Sequence, residues 1–128
     1  MITPMLPNKS YTTSHPIKRI FNALKYSIKG MKAAFKSEAA FRQDCLLVLV
    51  NCLALYWVHD KYFFVWLLFS GLFVLFAELI NTAMEYIVDM ITQEHHPLAG
   101  SAKDIGSALV FLAIVNLVLS WTIFLYRI

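Results

Sequence analysis

Most of the residues that could do chemistry in this chain lie between Glu78 and Asp104, ELINTAMEYIVDMITQEHHPLAGSAKD. Three acids and an amide, Glu78, Asn81, Glu85 and Asp89, recur there at i, i+3, i+7 and i+11. At about 100° per residue those positions share one narrow helical face, and Leu79, Ile80, Met84, Ile87 and Val88 fill most of the remainder. The stripe follows directly on the charge-free apolar run from Tyr62 to Ala77. A charge held deep in hydrocarbon costs roughly 2.5–3.5 kcal/mol on insertion scales, so acids on such a helix face a partner or a wet cavity. The stripe is therefore a candidate site by default, and its carboxylate oxygens are the donors that Mg²⁺ takes together with substrate phosphates.

The elements that must carry this stripe are those of a membrane protein. With 128 residues, 59% hydrophobic content and a mean hydropathy of +0.63, the chain is too apolar for one soluble core. The expected fold is all-α: an N-terminal amphipathic surface helix and three transmembrane helices in one integral-membrane domain over 1–128. Residues 1–16, with Pro4, Pro7 and Pro16, read as a mobile tail. From 17 to 36 the apolar Ile17, Ile20, Phe21, Leu24, Ile28, Met31 and Phe35 recur at helical spacing among lysines, a basic helix suited to lie on a membrane surface. Membrane helices are expected over 39–58, 62–90 and 105–126, the first two joined by the short turn His59-Asp60-Lys61. Pro97 and Gly100 predict a polar loop from Thr92 to Ala102.

Lys18, Arg19, Lys25, Lys29, Lys32, Lys36 and Arg42 all precede the first apolar run, which predicts a cytoplasmic N-terminus and 92–104 loop, and a C-terminus on the outer side. The modest net charge of +3, without an aromatic-interleaved basic stripe outside the membrane, argues against a nucleic-acid partner. Cys45 and Cys52 lie seven apart on one helical face, about 10 Å from each other, beyond disulfide reach. No cleavable signal peptide is expected at the amino terminus.

Several polar residues have plain readings on spacing alone. Glu38 and Arg42, four apart, suit a surface ion pair. His95 and His96 suit solvated loop histidines, since adjacent histidines chelate zinc poorly. Asp89 could cap the helix or pair with a lysine, and Asn116 suits an interhelical hydrogen bond.

The blocks Glu38-Ala-Ala-Phe41-Arg42-Gln43, Glu78-Leu-Ile-Asn81-Thr-Ala-Met-Glu85 with Asp89, and His96-Pro-Leu-Ala with Ala102-Lys103-Asp104 resemble the small integral-membrane prokaryotic diacylglycerol kinases and their undecaprenol kinase relatives. The resemblance runs from about Arg19 to the last span. It implies an enzyme of the bacterial cytoplasmic (inner) membrane, a homotrimer with shared sites, that transfers the γ-phosphate of MgATP to the hydroxyl of diacylglycerol to give phosphatidic acid. It makes Glu78 the general base, with Asn81 beside it as an orienting group, and Glu38 and Glu85 the Mg²⁺ ligands that also meet ATP. Arg19, Tyr26, Glu94, His95, His96, Lys103 and Asp104 would contact ATP, with Asp89 and Gln43 in support. Phe35 departs from the tryptophan that some members carry at its place in the surface helix.

The parts such a reaction needs are few: a cation on the phosphates, positive charge near the γ-phosphate, and a base for the hydroxyl. Neither a Walker loop nor the catalytic loop and DFG triplet of protein kinases occurs. Two alternatives stay open, an undecaprenol kinase making undecaprenyl phosphate and a small non-enzymatic membrane protein conducting ions or protons. The second predicts acids along the whole bilayer depth, whereas Glu78, Glu85 and Asp89 crowd one half.

Overall fold

The computed structural model describes residues His15 to Arg127, all of whose regular elements are helical. The tail expected over 1–16 lies outside the described residues up to position 14, and Pro16 already opens the first helix. Helix α1 runs Pro16–Ser37, α2 Ala39–Ala54 with a 3-10 turn Leu55–Trp57 behind it, α3 Lys61–Ile91 and α4 Pro97–Arg127. The chain divides into two compact units, one ending at Lys32 and the other beginning at Ala33. The described part of the first unit is a helix whose side chains are all exposed. Its apolar residues recur every three or four positions, and Arg19 and Tyr26, seven apart, share one face.

In the second unit α3 is the central element, packed along both α2 and α4. Its 31 residues span about 46 Å at 1.5 Å per residue, against roughly 30 Å of hydrocarbon. A crossing of about 20 residues begun at Tyr62 ends near Asn81. Glu78 thus belongs inside the apolar layer, and Glu85 and Asp89 beyond its edge. Ala39–Trp57 and Pro97–Arg127 are likewise long and apolar enough to cross a membrane.

The α3–α4 seam is built from small or compact residues. Val74, Ala77, Ala113 and Leu117 form its buried core, and Leu55, Val58 and Leu67 form a second core toward the other end. Trp121 packs against both. Lipid chains are as apolar as these side chains, so close packing and hydrogen bonds hold such helices together. Asn51 on α2 supplies two of those bonds: its amide donates to the Leu67 carbonyl (3.2 Å) and its oxygen accepts from Trp121 Nε1 on α4 (2.8 Å). A Cβ at Gly71 would lie 2.5 Å from the Asn51 amide nitrogen, so the glycine makes room for that bridge. A second set joins Trp66 Nε1 to Ser120 Oγ (2.8 Å), with Ser70 and Ser120 3.1 Å apart. The interhelical role predicted for Asn116 thus falls to Asn51, while Asn116 gives its backbone carbonyl to Ser120. Asn51→Ala is expected to lower stability by about 1–3 kcal/mol, because it leaves the Trp121 N–H without a partner. Thermal unfolding in detergent should show this, and an unchanged midpoint would remove the bridge from the account.

Two sequence expectations need correction. The loop between α3 and α4 spans only 92–96, because Pro97 begins α4 and Gly100 lies inside it. Proline is suited to a first helical position, where its missing N–H has no intrahelical partner to lose and its fixed φ is already helical. The last helix is therefore Pro97–Arg127, eight residues longer at its start than the charge-free run from 105. Arg42 also departs from the spacing rule. Rather than pairing with Glu38, it donates from Nη1 to the carbonyls of Phe35 (3.0 Å) and Lys36 (3.4 Å), at the end of α1 where helix carbonyls lack partners. Both cysteines are free.

Candidate active site

The acidic stripe keeps its face. Glu78, Asn81 and Thr82 are buried at 3%, 8% and 6% exposure, Glu85 is half-buried and Asp89 exposed, so polarity opens outward along α3. The carboxylates of Asp44, Glu85 and Glu38 lie close enough to Glu78 to act on its charge. Acids from two helices and the joint before α2 therefore converge on one region. Asp44, with 8% exposure, was not a candidate from sequence. Its helical phase, three positions after Phe41 and four before Val48, both buried, would have signalled that it faces inward.

Glu38 owes its place to a break in the helix. With φ −103° and ψ 119° it is the single extended residue between α1 and α2, and its side chain is half-buried. Gln43 is exposed on α2.

Asn81 does not reach Glu78. Its Nδ2 donates to Glu85 Oε1 at 3.1 Å, one turn along the helix, so the amide orients the half-buried acid. Its Oδ1 is buried without a partner among the described residues, as is Thr82 Oγ1. Gly106 of α4 makes the close approach here, since a Cβ at that position would run into Asn81 Oδ1.

Lys103 Nζ meets Asp89 Oδ1 at 2.5 Å, tying α4 to α3 through side chains that are 39% and 54% exposed. Of the plain readings of Asp89, pairing with a lysine is the one realised. Glu85 also lies within Coulombic reach of this ammonium. Beside the pair is a polar cleft of about 180 Å³, lined among others by Asp89, Glu94, His95, His96 and Lys103. It shares Val88, Thr92, His96 and Ala99 with an apolar cavity of about 380 Å³. His96 Nδ1 accepts from the Leu98 N–H (3.2 Å), which fixes the ring against the start of α4. Asp104 is exposed and lines neither space. Arg19 and Tyr26 belong to the first unit. A wider cavity of about 470 Å³ lies at the other end of α3, among Trp57, Phe63, Phe124 and Arg127, away from every residue of the stripe.

Among the described residues no three His, Cys, Asp or Glu side chains gather as metal ligands. Mg²⁺ is commonly held by one or two carboxylates, with phosphates and waters completing the shell. The all-oxygen donors of the half-buried Glu38 and Glu85 fit that cation.

Fold and site together define an integral-membrane helical protein whose acids meet an ammonium-bearing cleft at the edge of the apolar layer. A model of the prokaryotic diacylglycerol kinase family matches residues 25–125. A diacylglycerol kinase of Escherichia coli is 43% identical over 109 residues, 84% of this chain and 89% of the relative. Proteins of the same name from Haemophilus influenzae and Pseudomonas aeruginosa are 40% and 41% identical over 106 residues, 82% of this chain and 90% and 86% of theirs. The chain belongs to the prokaryotic diacylglycerol kinase family.

Proposed function

We propose that the acidic face of α3 is where this chain moves the γ-phosphate of MgATP onto the hydroxyl of diacylglycerol, giving phosphatidic acid. Its family and its similarity to relatives of that name in several bacteria make it a diacylglycerol kinase; the residue roles are our reading. The observation that carries them is the gradient along one helix face. Glu78 is buried within the length of α3 that crosses the apolar layer, which suits a base for the hydroxyl of a membrane lipid, and the half-buried Glu85 lies about two turns further out, toward the polar cleft.

Glu78 takes the hydroxyl proton as the lipid oxygen attacks the γ-phosphorus and the bond to the β-phosphate bridging oxygen breaks, releasing ADP. Glu38 and Glu85 would hold Mg²⁺, which supplies charge neutralisation on the phosphate oxygens. Asn81 holds Glu85 in place. Lys103 spends one ammonium hydrogen on Asp89, which leaves two for phosphate oxygens. Glu94, His95 and His96 line the polar cleft and meet the nucleotide there, with the apolar cavity beside them suited to a flat base. Asp104 completes the nucleotide contacts of this unit, and Gln43 and Asp89 support the site.

Three spans enclose a polar site poorly, which implies an oligomer, and the resemblance to the family makes that oligomer a homotrimer with sites shared between subunits. The basic residues before α2 keep that end and the 92–96 connection in the cytoplasm, with the C-terminus outside. The test is transfer of labelled γ-phosphate from MgATP by purified protein in mixed micelles, with diacylglycerol and undecaprenol offered separately. Label in phosphatidic acid is expected. Label only in the polyprenol would overturn the substrate, and label in neither would overturn the chemistry.

A further inference from the structure

Tyr86 follows Glu85 on α3, and Ser37 precedes Glu38 at the end of α1. Their hydroxyl oxygens are 2.5 Å apart, although the residues are 49 positions apart in sequence. The direction of that bond follows from a second one. Ser37 Oγ donates its single hydrogen to the Ala33 carbonyl at 3.0 Å, so it must accept from Tyr86. The chain of donation runs from Tyr86 O–H to Ser37 O–H to the backbone of α1's last turn. Arg42, through the Phe35 and Lys36 carbonyls, secures the same turn from the α2 side. The extended residue between these ties is Glu38.

We infer that Tyr86 and Ser37 form a positioning clamp that sets the spacing of the Glu38 and Glu85 carboxylates, and with it the affinity of the site for a divalent cation carrying a nucleotide. The inference rests on the proposed metal role of those two acids. Glu38 is the single extended residue at the joint between two helices, although its N–H still bonds the Ala34 carbonyl (2.8 Å) and its own carbonyl accepts from Arg42 N–H (3.4 Å), whereas Glu85 belongs to the continuous helix α3. The separation of the two carboxylates therefore follows how that joint is held against α3, which the Tyr86–Ser37 bond fixes. The Tyr86–Ser37 bond joins the chain one residue from each acid, so it transmits little slack. Neither hydroxyl is itself a ligand, and both act through their neighbours. The simpler role for Tyr86, a tyrosine anchoring α3 at the membrane interface, predicts no dependence on Ser37.

The test uses the full-length protein in detergent micelles, with Mn²⁺ as a paramagnetic probe and a non-hydrolysable ATP analogue, following free Mn²⁺ by electron paramagnetic resonance. Tyr86→Phe should raise the analogue-dependent Mn²⁺ dissociation constant about three- to tenfold, the reach of one intramolecular hydrogen bond, with an unchanged unfolding midpoint. Ser37→Ala should match it, Ser37→Thr should retain near-normal affinity, and the double variant should bind no worse than either single one. Glu85→Gln should weaken the binding more than either, by at least about tenfold to a hundredfold. If Glu85→Gln weakens Mn²⁺ binding while Tyr86→Phe and Ser37→Ala bind as the parent does, the clamp is overturned and the metal reading stands. Additive losses in the double variant also overturn the clamp. Should Glu85→Gln bind normally, the metal reading fails and the clamp with it. If Tyr86→Phe does not fold, Ser37→Ala removes the same bond from the other side and decides the matter.

Discussion

Glu78→Gln is expected to lower phosphoryl transfer by about a hundredfold to ten-thousandfold, the contribution of a positioned acid–base group. The amide copies the carboxylate's shape, so a site only 3% exposed stays packed, but it cannot accept the lipid's proton. Half-saturating MgATP should stay within about twofold, because glutamine leaves Glu38, Glu85 and the cleft in place. Stability gives an independent reading. Glu78 lies in the field of Asp44, Glu85 and Glu38, and no described side chain donates a hydrogen bond to it. Removing that charge should leave the unfolding midpoint equal or higher, as expected when a buried charge among like charges is neutralised. A variant that turns over nearly as the parent does would end Glu78's candidacy as base. One that is inactive because it unfolds would show itself by a lower midpoint.

Glu85→Gln should act on the other half of the reaction. Glutamine Oε1 can still accept from Asn81 Nδ2, which now stands at 3.1 Å from the Glu85 oxygen, so orientation survives while the charge is lost. The Mg²⁺ concentration needed for half-maximal rate should rise at least tenfold to a hundredfold, roughly the loss seen when even an outer partner of a metal ligand is removed. Turnover extrapolated to saturating Mg²⁺ should fall less than in Glu78→Gln. A titration of rate against free Mg²⁺ at fixed ATP separates the two effects. Unchanged Mg²⁺ dependence would mean that Glu85 serves structure and not the cation.

The two variants differ because of depth on one helix. Glu78 lies within the first twenty or so residues of α3, about what is needed to cross the hydrocarbon, and Glu85 beyond it. On the proposed roles, a substitution at the buried end acts on the lipid's half of the reaction and one at the outer end on the nucleotide's.

That division was legible before any coordinates, since the stripe depends only on the helix period and the crossing on hydropathy. The blocks around Glu38, Glu78 and Lys103 pointed to the family, to which the match over residues 25–125 assigns the chain. The start of α4 was misplaced because proline was read as a stop; the same residue is a good start when it occupies the first helical position.

What no pattern could supply is the set of partners. Asn81 binds Glu85 rather than Glu78, and Lys103 takes Asp89 from a different helix. Asp44 turns inward toward Glu78, Asn51 bridges α2 to Trp121, and Tyr86 reaches Ser37 across 49 residues. Apart from the Asn81–Glu85 pair, which is i, i+4 within α3, each pairing depends on the rotation and axial offset of one helix against another. Those are fixed by where small residues such as Gly71 and Gly106 let backbones approach. The sequence by itself determined that this chain has three segments able to cross a membrane and carries Glu78, Glu85 and Asp89 on one face of one helix, because hydropathy and the helix period are properties of a single segment. Which groups meet those acids was decided only when the helices packed, because a contact between segments belongs to neither of them alone.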